Sequence, residues 1–407
     1  MENSKMKTKN SGQYFLIILS LVVFQFSCAP GPEQVKPWYK GNLHAHSYWS
    51  DGNEFPEVIM AWYKAQGYQF TVLSDHNTLV EGEKWITLSK RTHLQKGFKD
   101  YLNTYGDGWV QQRSDSAGNT QVKLKTLEEY RPLFEEAGRF LILPSEEITT
   151  AYQDKPIHIN ATNIQEKIDP RPGGSVVEVI QNNIDAILEQ RKRTQVPILP
   201  HINHPNYGYA ITAADFTQVR GVRFFEVYNG HPLVNNAGDS THLGTEALWD
   251  RVNVAYLEQG KPLLYGVAAD DSHHYHQFNR ENSNPGRGWV MVQADSLSAA
   301  GIIDAMEQGD FYASTGVVLK TVERKGNTLT VEVDAEPGVH YEIQYIGLER
   351  ATKQSKIIER VAGTKATFGL SDAYWFVRTK VISDQSNPNA FDEAEYERAW
   401  TQPVVVE

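Results

Sequence analysis

From residue 39 to about residue 310, short apolar runs alternate with longer amphipathic stretches. The runs "GNLHAH", "YQFTVLSDH", "RFLILPSEE", "PIHINATN", "VPILPHINH", "VRFFEVYN" and "PLLYGVAADD" read as strands. Helices are predicted between several of them, at 54–66, 175–192, 241–259 and 296–308. In the second of these, Val176, Val177, Ile180, Ile184, Ile187 and Leu188 form an apolar stripe at helical spacing. Strand–helix alternation predicts an α/β architecture with a largely parallel sheet, and about seven strands suggest an irregular β/α barrel over 39–317. Residues 88–138 break the alternation: "WVQQRSDSAGNTQVKLK" reads as two strands around a polar turn, followed by the helix "TLEEYRPLFEEAG". This segment is expected to be an insertion, either a cap beside the barrel mouth or an ornament away from it. Beyond "GDFYASTGV" the period becomes two, which predicts a small all-β sandwich over 318–407.

Polar residues of ligand type collect near the C-terminal ends of the predicted strands, where sites form in open sheets and barrels alike. His44 and His46 come from the first strand with Asp51 on the loop after it, Asp75 and His76 from the end of the second, and Glu147 from the third. His158, His204, Asp271 and His273 come from later ones. In an extended segment, residues two apart share a face, so His44 and His46 leave the backbone together. A single His or Asp at a strand end is usually a hydrogen-bonded turn residue. The joint set is hard to obtain from packing. Imidazoles and carboxylates without thiolates suit Zn, Mn or Fe, and so many donors imply two or three divalent ions sharing a bridging carboxylate.

In that order, "HAHSYWSDG", "SDHN", "PSEEIT", "NHP" and "DDSH" resemble the PHP family (polymerase and histidinol phosphatase) over roughly residues 41–310. The resemblance implies a distorted seven-stranded β/α barrel, up to three metals and phosphoesterase activity. It implies that His44, His46, Glu147 and Asp271 share one ion. Glu147 would bridge to a second ion held with His158 and His204, while Asp51, His76 and His273 hold a third. Glu147 is chosen over Glu146, and Asp271 over Asp270, by the family's spacing. His201 would line the site or the barrel wall. A water between ions, deprotonated to hydroxide, would attack the phosphorus of a small phosphorylated substrate. Asp75 and Glu226 are candidates to orient ligating histidines, with Asn229 beside Glu226. Arg287 and Arg280 are candidate phosphate clamps, and His274 and His276 lie near the mouth without an assigned role.

The N-terminus reads separately. Lys5, Lys7 and Lys9 precede the apolar run "YFLIILSLVVFQF", and Cys28, the single cysteine, follows it. This is the layout of a bacterial lipoprotein signal over 1–28 with a linker at 29–38, although Gln25 and Phe26 depart from the usual pattern. Export to the periplasm or outer membrane follows, with the membrane reached only through the N-terminal lipid. A net charge of -11 argues against binding nucleic acid, and one cysteine allows no internal disulfide.

Two rival functions share these residues. One is an amidohydrolase-like metallohydrolase of amide or lactone bonds; no lysine at the strand ends is available as a carbamylated bridge, and "SDHN" and "DDSH" favour the phosphoesterase. The other is a non-enzymatic surface binding protein with structural metals, against which stands the excess of ligands over what a closed structural site uses.

Overall fold

The computed structural model describes residues 1–2, 36–391 and 395–406. The predicted signal segment, Cys28 and the linker up to residue 35 lie outside the described residues.

The chain opens with β1 (Trp38–Asn42), α1 (Pro56–Ala65) and β2 (Phe70–Leu73). β3 (Trp85–Thr87) precedes the predicted insertion, which holds α2 (Thr92–Tyr105), β4 (Gln112–Ser114), β5 (Thr120–Lys123) and α3 (Leu127–Phe134). There follow β6 (Leu141–Tyr152), β7 (Lys155–Thr162), α4 (Val176–Thr194), β8 (Leu199–Ile202), α5 (Ala213–Gln218), β9 (Phe224–Asn229), α6 (Thr245–Glu258) and β10 (Tyr265–Ala269). After these come β11 (Trp289–Gln293), α7 (Ala299–Gln308) and β12 (Phe311–Ser314). The C-terminal strands are β13 (Leu319–Lys325), β14 (Thr328–Val333), β15 (Tyr341–Glu349), β16 (Ser355–Ala362), β17 (Lys365–Gly369), β18 (Tyr374–Ser386), β19 (Tyr396–Thr401) and β20 (Val404–Val405).

Seven strands run consecutively in the main sheet, in the order β10-β9-β8-β7-β6-β2-β1. The two ends of this run meet through a parallel bridge between Ala45 and Ser272, where the His46 amide donates to the Ser272 carbonyl at 2.9 Å. Leu43, Phe70, Val72, Leu143, Leu199, Phe224 and Val267 join one buried cluster, which Ile302, Ile303 and Met306 of α7 complete. Gly41 is required there, since a Cβ would stand 2.1 Å from the Phe70 ring.

The sheet is mixed, which corrects the expectation of a largely parallel one. β6 and β7 form an antiparallel hairpin from Ser145–Thr162 down to Tyr152–Lys155, and β8 is antiparallel to β7. The turn at Gln153 and Asp154 has Gln153 at φ 55. A two-residue hairpin loop favours positive φ, and the absence of glycine hides the turn in the sequence.

The insertion differs from expectation by α2, a 14-residue helix. Its Gly97 weakens the helical pattern but is needed, because a Cβ there would lie 2.1 Å from the His276 ring. The insertion is not an ornament. Tyr101, Val122, Leu124 and Tyr130 share a core with Trp49 and Phe55, on either side of Asp51, and the Trp49 indole donates to the Lys125 carbonyl at 3.0 Å.

At the C-terminus, the three-stranded sheet β13-β14-β17 packs its Leu329, Val331 and Val333 against Ile343, Tyr345, Val377 and Val381 of the opposing sheet. That opposing sheet continues the main one, through β11, β12, β19, β18, β15 and β16.

Candidate metal centre

Glu147 sits at the middle of the site. β6 alternates its side chains, so tandem Glu146 and Glu147 face opposite ways. Glu146 accepts from the Ile168 amide at 2.6 Å, whereas Glu147, 1 % exposed, meets five imidazoles. His44 Nε2 lies 3.4 Å from Oε1, His46 Nε2 3.4 Å from Oε2, and His76 Nδ1 2.8 Å from Oε2. His158 Nδ1 and His204 Nε2 lie 3.0 and 3.5 Å from Oε1. The Asn203 amide also donates to Oε1, at 2.7 Å.

Asp271 closes the group from the other end of the seven-strand run. Its Oδ1 lies 3.3 Å from His44 Nε2 and 3.2 Å from His46 Nε2. Asp271 and His204 both hold positive φ, 49 and 21, a backbone conformation that costs energy outside glycine and gathers at functional sites. Asp270 faces away, accepting from the Tyr63 hydroxyl and from the Arg287 and Gly288 amides.

A third carboxylate, Asp51, stands at the open side. Its oxygens lie 3.3 Å from His273 Nε2 and 3.5 Å from His76 Nε2. Among the described residues, four overlapping sets bring their ligand atoms within 4.8 Å of one another. They are His46, Asp51, His76 and His273; His44, His46 and Glu147; His76, Glu147 and His158; and His44, His201 and Glu226. These sets hold seven of the nine candidate ligands together with His201 and Glu226, and the contacts of His204 with Glu147 and of Asp271 with His44 and His46 bring the other two to the same locus.

The donor set fits a cation. His44 Nε2, His46 Nε2 and Glu147 Oε2 are buried with no hydrogen-bond partner, although unpaired buried polar atoms are costly. Burial, reinforced by His273 and His76, lowers His46 to about 3, which leaves it neutral as ligation requires. Burial acts on His44 and His76 in the same direction, but neighbouring carboxylates override it. Asp271, Glu226 and Glu147 raise His44 well above its usual value, and Glu147 with Asp51 raises His76 to about 11. Against burial, the surrounding histidines hold Glu147 and Asp271 well below the carboxylate range. In this state protons neutralise the carboxylates; cation binding would displace them.

Glu226 orients two of these residues. Fully buried on β9, it sits 2.6 Å from His44 Nδ1 and accepts from the His204 amide at 2.7 Å. Asn229 donates to Glu226 and to Asp271, at 2.7 and 3.1 Å. With Nδ1 committed, His44 presents Nε2 to the locus.

Two sequence candidates act elsewhere. Asp75 does not touch His76; it accepts from the Ser47 amide at 2.8 Å, the Ser47 hydroxyl at 2.8 Å and the Ser50 hydroxyl at 2.6 Å. It therefore fixes the loop after His46, while His76 Nδ1 is held at 2.5 Å by Thr149 Oγ1. Arg287 is fully buried and donates to the carbonyls of Asn389, Gly230 and Asn279. All three of its nitrogens are committed to backbone, which excludes the expected phosphate clamp. Arg280 lines a separate cavity, described below. His276 bonds the Asn53 carbonyl at 3.0 Å, and His274 accepts from the Ser283 amide at 3.3 Å.

Asn203 and His231 escaped the sequence reading, whereas His201 is a residue expected to line the site or the barrel wall. Asn203 tethers Glu147, as above. His201, fully buried, has no hydrogen-bond partner on either ring nitrogen and lies 3.5 Å from Glu226. His231 accepts from the Leu233 amide through Nδ1 at 3.2 Å, and its ring lies 5.5 Å from that of His273. Its position just past the end of "FFEVYN" was the available signal.

No family model and no curated protein matches this chain. Among solved structures, it is similar to a two-domain protein from Bacteroides vulgatus containing a predicted PHP-like metal-dependent phosphoesterase. Identity is 14 %, with 92 % of this chain and 99 % of that one covered, at a TM-score of 0.39. It is also similar to an amidohydrolase from Chromobacterium violaceum with bound sulfate and no metal, at 12 % identity, 57 % and 87 % coverage and a TM-score of 0.28. Both likenesses are weak. Function has to be read from the site's own chemistry.

Proposed function

We infer that this chain is a metal-dependent hydrolase, and propose that it hydrolyses a small phosphate ester using two or three divalent ions of Zn, Mn or Fe type. The reading rests on one observation: His44 Nε2 and His46 Nε2, buried without hydrogen-bond partners, both face Glu147 and Asp271. Buried groups of this kind are stable together only around positive charge.

His44, His46, Glu147 and Asp271 would hold one ion, Glu147 with His158 and His204 a second, and Asp51, His76 and His273 a third. Bound there, the ions supply a water acidified toward neutral pH and Lewis acidity toward the phosphoryl oxygens. The chain's own residues do the positioning. Glu226 fixes the His44 ring and the backbone at His204. Asn203 and Asn229 hold Glu147 and Asp271, and Asp75 sets the loop between His46 and Asp51. His231, half-buried, has its ring 5.5 Å from that of His273 and would be a further imidazole beside the substrate. The seven strands joined at Ala45 and Ser272 are read as the distorted barrel that presents this site, and the sequence of residues 1–28 is the basis for placing the enzyme in a bacterial envelope.

The test is metal analysis of the purified chain together with a panel of aryl phosphates, amides and lactones. Bound divalent metal and phosphate release, both lost in the double variant His44→Ala with His46→Ala, are expected. Turnover of amides or lactones alone would transfer the same site to the amidohydrolase reading. Metal retained in the double variant would remove the assignment.

A further inference from the structure

A cavity of about 670 Å³ lies apart from the metal centre, between the outer side of β1 and the loop 386–390. Lys40 projects into its wall with Nζ 4.1 Å from the centre of the Tyr68 ring and 4.0 Å from that of Trp289. Such stacking is favourable for a cation, but it gives the ammonium no hydrogen-bond acceptor. Lys40 pairs with no described carboxylate. The acidic residue that acts on it, Asp270, is committed to Tyr63 and to the backbone of Arg287 and Gly288. Burial lowers Lys40 to about 8, so it stays charged at neutral pH.

The surroundings are unusual for this chain. It carries 50 Asp and Glu, yet no acidic residue is among the described residues lining the cavity. Trp62 and Phe278 supply flat apolar walls, with Phe278 52 % exposed. Gln66 and Ser386 bring polar groups to the rim. Tyr68 Oη and Trp289 Nε1 are buried without hydrogen-bond partners, so the aromatic wall is not satisfied by its own neighbours. The opposite wall is preformed: Asn389 donates to the Pro285 carbonyl at 2.7 Å, and Arg287 donates to the Asn389 carbonyl at 2.7 Å. A rigid cleft requires little ordering on binding.

We propose that this cavity is a second binding site, for an acidic saccharide whose carboxylate meets Lys40 and whose flat C–H face lies on Trp62. A carboxylate would give the lone ammonium its missing acceptors. Indole faces with a polar rim suit a ligand that is apolar on one face and hydroxylated around its edge. The volume accommodates more than one sugar unit.

The full-length chain, titrated with trigalacturonate and followed by tryptophan emission and calorimetry, tests this. Trigalacturonate is expected to bind at least about tenfold more tightly than neutral maltotriose. Lys40→Met and Trp62→Ala are each expected to weaken binding about tenfold or more, with aryl phosphate hydrolysis unchanged. Trp62 lies at the outer wall, so its variant keeps the test sharp should Lys40→Met fail to fold. Equal binding of maltotriose, displacement by equimolar inorganic phosphate, absence of binding, or full affinity in both variants would each overturn the proposal.

Discussion

Two buried clusters of charge in this chain are built on opposite plans. Between α6 and β18, Arg378 forms a two-pronged pair with Asp250 at 2.8 and 3.0 Å, and Lys380 meets Glu246 at 2.5 Å. Opposite charges there are matched within the chain. At the candidate centre, buried Glu147, Asp271 and Glu226, with Asp51 at the open side, have histidines as their ion-pair partners and no lysine or arginine among the described residues. The first cluster balances its charges as folded, although Arg378 Nη1 is left without a hydrogen-bond partner; the second requires charge brought from outside. Buried ionisable groups thus signal structure in one place and function in another, and the deciding feature is whether the chain itself supplies the opposite charge.

The largest expected effect breaks the open cluster. Glu147→Ala removes the carboxylate shared by five imidazoles, and aryl phosphate turnover is expected to fall by several kcal/mol of transition-state stabilisation, about a thousandfold. Metal content measured by mass spectrometry should fall with it. Breaking the closed cluster should do the reverse. Arg378→Met leaves Asp250 buried without its partner, expected to cost about 3–5 kcal/mol in urea unfolding, with turnover per folded molecule and bound metal unchanged.

A finer comparison uses Glu226, which touches no proposed ion but fixes His44. Glu226→Gln is expected to weaken metal affinity about 10–100-fold, read by competition with a chelator, while the fold is retained. The smallest effect concerns Glu54, between the site loop and the insertion. Burial pushes its carboxyl up to about 8, with the Phe55 amide opposing. Its folded form binds a proton more tightly than the unfolded form, so its contribution is full below the unfolded value near 4.5 and is lost as pH rises through about 8. Glu54→Gln should therefore match the parent at low pH and exceed its stability at pH 8 and above, in thermal melts across that range.

Much of the centre was legible because its chemistry is local in sequence. His44 and His46 declare themselves by spacing, while Glu147 is told from Glu146 only by the family resemblance, and the opposite facing of the two in β6 gives the physical reason. What stayed hidden depends on segments far apart in the chain. Arg287 reads as a loop arginine, and only the fold brings the carbonyls of residues 230, 279 and 389 around it. Asp75 adjoins a histidine in sequence, yet its oxygens reach back to Ser47 and Ser50. The same holds for the fold: β-strand and helix positions followed from periodicity, but the β6–β7 hairpin lacked its usual turn residues and α2 was masked by Gly97, whose reason lies with distant His276.

The stitch at Ala45 and Ser272 has a mechanical consequence. It brings the backbone of the first proposed ligands against that of the last, and the Asp271 amide reinforces it by donating to the His44 carbonyl at 3.1 Å. An ion gripping both sides would cross-link the two ends of the seven-strand run, closing a loop of most of the domain. A chain with a single cysteine would then owe its long-range fastening to the same ion that it uses for chemistry, and chelation would loosen its architecture as well as silence it.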